Sequence, residues 1–123
     1  MLSSPARDAT TIGKAAWPRW VVPAAVFLLT LIVFWPSTSC GFVDLDDQIL
    51  ITDNPAFRGL SPSHLRWMFG ATLMGHWQPL TWVSYGIDYT LAGLDASQFH
   101  LTNILLHSTN AALFSLLCLR LIP

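Results

Sequence analysis

Four of the chain's seven acidic residues, Asp44, Asp46, Asp47 and Asp53, crowd into the stretch GFVDLDDQILITDNP at residues 41–55. An adjacent pair such as Asp46–Asp47 diverges in a helix or strand but can converge in a loop. One carboxylate can then hold a divalent cation while the other serves as a base. The plainer alternative is a solvated turn with capping aspartates, and the pair alone favours it. A second polar series lies downstream, where His100, Asn103, His107 and Asn110 recur at three, four and three residues. At about 100° per residue these four occupy roughly a quarter turn of one helix.

Other chemistries find little support. The four histidines, His64, His76, His100 and His107, form no HxxxH pattern, and CxxC is absent, so zinc lacks its usual three or four convergent ligands. No GxSxG elbow and no phosphate-binding glycine loop occurs.

The polar groups sit in an apolar setting. The 123 residues are 53% hydrophobic and 11% charged, with six tryptophans and no glutamate. A soluble domain carries about a quarter charged residues. This is the profile of a membrane protein, and the net charge of −1 leaves no basic surface for nucleic acid.

Two membrane-spanning segments are predicted. The first, Trp20 to Trp35 within a span of 20–36, contains no charge and has a tryptophan at each end, where an indole suits the interface. The second covers 99–122, and its first half carries the polar series. Polar side chains within a span face protein or a watery cavity. The series therefore either glues a helix bundle or lines a ligand cavity. Arg7, Lys14 and Arg19 precede the first span and Arg120 closes the second. The positive-inside bias places both termini in the cytoplasm, with 1–19 as a cytoplasmic tail and 37–98 as an extracytoplasmic loop. A cleaved signal ending at STSC is the competing reading of the start; the position expected to be aliphatic is Ser37, which favours a retained anchor. Cys40 and Cys118 fall at opposite ends of the spans, too far apart to pair, and read as apolar fillers.

Within the loop, Ser61, Pro62 and Gly70 frame one short helix, and Pro79 and Gly93 frame another. The first is too apolar for open water and reads as lying on the membrane surface or on a partner. Trp82, Tyr85 and Tyr89 fit one interfacial face of the second. Asp95 and Gln98 read as a capping box opening the second span. The fold class is thus all-α: two transmembrane helices joined by an extracytoplasmic loop with short amphipathic helices.

In order, a membrane helix, the Asp46–Asp47 loop, Asn54, the "PLT" of Pro79, Leu80 and Thr81, and the His100-x-x-Asn103-x-x-x-His107 series resemble the start of a GT-C glycosyltransferase. The similarity is greatest to the transmembrane and tetratricopeptide-repeat O-mannosyltransferases and their bacterial relatives, over roughly residues 20–120. The resemblance implies transfer of a sugar from a polyprenyl-phosphate carrier to an acceptor protein or glycan outside the cytoplasm. Asp46 or Asp47 would be the base, with a possible Mg or Mn ion on the same pair. His100, Asn103 and His107 would donate hydrogen bonds to the lipid phosphate, with Arg66 as a further candidate for its charge. Asn54, Pro79 and Thr81 would shape the motif. The implied location is the bacterial inner membrane. Such enzymes have many more spans, so the resemblance makes this chain the N-terminal part of a polytopic protein, inactive alone and partnered by membrane lipids and the remaining helices. A small two-span protein that binds partners without catalysis is the alternative.

Overall fold

The computed structural model describes residues 18–122. Arg7, Lys14 and most of the expected cytoplasmic tail lie outside the described residues. The described residues are helical apart from turns and one isolated bridge between Leu73 and His76; they hold no named strand.

α1 runs Val21–Phe34 and continues as a 3-10 turn, Trp35–Ser39. It buries none of its residues, although nearly all are apolar. A helix that is hydrophobic all round and yet unburied by its own chain suits lipid. The 3-10 turn starts where Pro36 removes a main-chain donor, and the Ser37 and Thr38 hydroxyls each donate to the carbonyl three residues back, at 2.8 Å. Val21–Ser39 has 19 residues and a mean hydropathy of 2.0. At 1.5 Å per α-helical residue and 2.0 Å per 3-10 residue it extends about 31 Å, close to the hydrocarbon thickness.

α4, Ala96–Leu121, is the second candidate span, with 26 residues and a mean hydropathy of 1.5. It packs along α1 in the opposite direction. Phe34 and Ser37 lie beside His100, Asn103 and His107, while Val22 lies beside Cys118 and Ile122. The predicted pair of apolar helices is therefore present, and α4 begins three residues before the predicted second span.

The intervening chain folds onto itself. After a π-helical turn at Gln48–Thr52 and a 3-10 turn at Pro55–Phe57 come α2, Pro62–Gly70, and α3, Pro79–Ala92. Their core is Phe57, Met68 and Trp82, each fully buried, with Ile51 and Phe99 nearly so. The Phe57 ring lies 6.4 Å from Trp82, 5.8 Å from Tyr85, 6.3 Å from Tyr89 and 6.3 Å from Phe99. The aromatic face of α3, expected to be interfacial, is thus an internal packing face; the periodicity was right and its partner is Phe57 rather than lipid. α2 is divided, with Met68 buried and Leu65 and Phe69 exposed.

Gly86 lets α3 approach the 59–60 turn. A Cβ there would stand 2.7 Å from Met68 Cε and 3.1 Å from the Gly59 carbonyl. Ser61 and Asp95 cap α2 and α4 as expected. The capping box is only half formed: the Asp95 side chain accepts from Ser97 N at 3.0 Å, but the Gln98 amide points away to Asp88.

Candidate functional site: an acidic turn beside a polar groove

Asp46 and Asp47 occupy helical backbone leading into the π-helical turn, so their side chains diverge by about 100°. A convergent pair, which a loop would permit, does not form. Asp46 is exposed. Asp47 is half-buried, and its Oδ2 accepts from Val43 N at 2.9 Å, closing the turn.

The turn is seated on the start of α4. Phe42 meets Phe99 edge-on at 5.5 Å, and Tyr85 meets Phe99 at 5.4 Å. Burial raises the Tyr85 phenol above the ordinary value of 10.0, and the negative charges of Asp47 and then Asp88 push the same way. Asp47 is thus the half-buried member of the pair, close enough for its charge to act on Tyr85, while Asp46 is exposed. Asn54 pins the far side of the turn: its Oδ1 accepts from Ala56 N at 3.0 Å and its Nδ2 donates to the Leu50 carbonyl at 3.4 Å.

One residue beyond Phe99 begins the polar groove. It encloses about 370 Å³ between the end of α1 and the outer half of α4, lined by Phe34, Ser37, His100, Asn103, Ile104 and His107. His100 Nε2 is buried without a hydrogen-bond partner. A buried polar atom left unpaired is costly, and this one belongs to a side chain lining a cavity. The His107 ring is held edge-on to Phe34 at 5.0 Å. Three of the four stripe residues thus share one groove; Asn110 is exposed and does not line it.

Other candidates lie elsewhere. Arg66 is exposed on α2, which packs on α3 and the 55–57 turn rather than on α4. Pro79 is buried at the first turn of α3, and the half-buried Thr81 accepts through its carbonyl from the Ser84 hydroxyl at 2.8 Å. Among the described residues no three His, Cys, Asp or Glu side chains gather as metal ligands. With Asp47 Oδ2 already engaged, the divergent pair does not by itself fit a divalent cation.

Asp88 is the residue that sequence reasoning passed over. It is 1% exposed, and its Oδ1 accepts from Gln98 Nε2 at 3.1 Å and from the Thr102 hydroxyl at 2.5 Å, while Oδ2 has no partner. These bonds tie α3 to α4 on either side of His100, at Gln98 and Thr102. The signal was available: Asp88 follows Trp82 and Tyr85 at three-residue steps, a carboxylate on an otherwise apolar face.

The comparisons with known proteins point in one direction. The chain is 29% identical over 106 residues to human Protein O-mannosyl-transferase TMTC3, covering 73% of this chain. It is 39% identical over 56 residues to Protein O-mannosyl-transferase tmtc2 of Xenopus laevis, covering 41% of this chain. The mouse TMTC3 protein is 29% identical over 95 residues. The chain spans only 11%, 7% and 10% of the lengths of these relatives. No protein-family profile and no solved structure matches.

Proposed function

We propose that this chain is the donor-binding end of a membrane glycosyltransferase that takes sugar from a polyprenyl-phosphate carrier. The observation that carries the reading is the groove: His100 Nε2, buried and unpartnered, lies with Asn103 and His107 in a cavity that begins one residue beyond Phe99, on which Phe42 of the acidic turn packs. Partial similarity to O-mannosyl-transferases supports it.

In the proposed reaction Asp47 Oδ1 accepts the proton of the acceptor hydroxyl. The acceptor oxygen bonds to the anomeric carbon as the bond from that carbon to the phosphate oxygen breaks. The electron pair leaves with the polyprenyl phosphate, and the configuration inverts. His100, Asn103 and His107 donate hydrogen bonds to the departing phosphate. Asp46 is the alternative base, and Arg66, distant from the groove, would need movement of α2 to join the phosphate. The remaining helices of a polytopic enzyme, the acceptor protein or glycan, and a multi-pass location with cytoplasmic termini belong to the same proposal.

A second reading rests on the Asp47–Val43 bond: the carboxylate closes a turn in a two-span protein that binds partners without catalysis. Transfer from a radiolabelled polyprenyl-phosphate sugar, assayed in membranes containing the full-length polytopic protein, separates the two. Asp47→Asn abolishes transfer on the first reading; wild-type transfer by a normally inserted Asp47→Asn protein sinks it. Cysteine labelling across 37–98 from the outside checks the topology.

A further inference from the structure

At the end of the hairpin remote from the acidic turn, Pro18, Arg19, Val22, Leu116, Leu119 and Arg120 line a pocket of about 340 Å³. Arg19, two residues before α1, and Arg120, in the last turn of α4, both line it. All described carboxylates lie between Asp44 and Asp95. From Ala96 to Arg120 α4 contains no acid and rises about 36 Å, so Asp95 at its start offers no counter-charge at this end.

Part of the arrangement has an ordinary cause. Arg120 sits in the last turn of α4, where a cation complements the helix dipole. Arg19 does not share that explanation, because it precedes α1, whose positive dipole end disfavours it. Trp20 provides no side-chain cap for α1, and no acidic residue lies in its first turn. The first amide of α1, Val21 N, donates to the Pro18 carbonyl at 2.9 Å, so the anion-binding potential of this pocket rests on Arg19 and Arg120, which line it with no described carboxylate beside them.

The pocket continues into apolar surface. Val22 and Leu119 also line an adjoining groove of about 440 Å³ that runs on to Phe114 and Ile122. A charged mouth joined to a greasy trough, at the end of two candidate membrane spans, has the polarity of a phospholipid. We infer that the Arg19–Arg120 pocket binds the phosphate of an anionic phospholipid, with an acyl chain along Val22 and Leu119. Basic pockets between helices at a membrane face hold anionic headgroups in this manner, and guanidinium groups bind phosphate bidentately. The inference does not depend on glycosyl transfer.

Native mass spectrometry of the purified full chain, titrated with phosphatidylglycerol or phosphatidylcholine, tests it. The wild type should bind phosphatidylglycerol at lipid concentrations on the order of tenfold lower than phosphatidylcholine, from two cationic contacts near a membrane surface. The Arg19→Gln/Arg120→Gln variant should lose that preference, while Arg19→Lys/Arg120→Lys should keep a reduced one. Should the glutamine variant lose its helical circular dichroism, the folded lysine variant decides: retained preference supports the site and lost preference overturns it. Equal affinity for the two lipids in the wild type, or an unchanged preference in a folded glutamine variant, overturns the proposal. Displacement of phosphatidylglycerol by millimolar inorganic phosphate would show a free-anion site and overturn the lipid assignment.

Discussion

Phe42 and Phe99 meet edge-on at 5.5 Å, and through that contact the acidic turn is registered against the first turn of α4. Phe99 is 3% exposed and also touches Phe57 and Tyr85, whereas Phe42 is half-buried. Phe99→Ala should cost about 3–5 kcal/mol, the usual range for emptying a buried aromatic site. Phe42→Ala should cost less while loosening the turn. Thermal unfolding in detergent, followed by circular dichroism, ranks the two; a smaller loss for Phe99→Ala would remove Phe99 from the centre of the packing.

Asp46 and Asp47 should respond differently to amide substitution. Asparagine at 47 can still accept from Val43 N through its carbonyl oxygen, so folding should persist while transfer falls by roughly 10²–10⁴, the loss expected for a general base. Asp46→Asn, on the exposed side, should leave transfer within a fewfold of wild type. A reversed pattern in the transfer assay would assign the base to Asp46.

Tyr85 should titrate above 10.0, as absorbance of the phenolate near 295 nm will show. Because burial is the first cause and Asp47 the second, Asp47→Asn should lower the midpoint without returning it to the ordinary value. The folded phenol holds its proton more tightly than the unfolded one. Its contribution to stability is therefore complete below pH 10 and disappears as pH rises through the folded value. An unshifted midpoint in Asp47→Asn would separate Asp47 from the aromatic cluster.

Asp88→Ala should destabilise the chain by about 1–3 kcal/mol, since it strands the Gln98 amide and the Thr102 hydroxyl. A double-mutant cycle with Thr102→Val isolates the coupling, and additive effects would show that the two residues do not act together.

Gly86→Ala should cost about 1–3 kcal/mol, because the new methyl meets Met68 Cε and the Gly59 carbonyl, and main chain yields poorly. Equal unfolding temperatures for the variant and wild type would mean the 59–60 turn moves aside.

The elements were readable where local rules act alone. Ser61–Pro62, Pro79, Gly93 and Asp95 end or begin helices for reasons confined to a few atoms, and the structure uses each of them. The two long apolar helices follow from uncharged runs. What the sequence could not reveal was which surface each face would meet. Trp82, Tyr85 and Tyr89 have a period that suits a membrane interface or a protein core equally, and only the distant Phe57 decides between them. Asp46–Asp47 could converge or diverge until the backbone became helical. Gln98 has two possible partners, the Asp95 amide and Asp88, and burial of Asp88 selects the second. The His100–His107 series showed its common face through spacing alone, while the wall opposite, Phe34 and Ser37, comes from a segment more than sixty residues away.

The rise of α4 sets a depth scale. Twenty residues of α-helix advance about 30 Å, the thickness of a hydrocarbon layer. If Arg120 marks one boundary of that layer, His100 falls at the other, beside Ser37 of the 3-10 turn. His107 then lies about 10 Å beneath the surface. A molecule touching both imidazoles must dip below the headgroups, so the groove suits a solute that arrives laterally from the leaflet better than one descending from the aqueous phase.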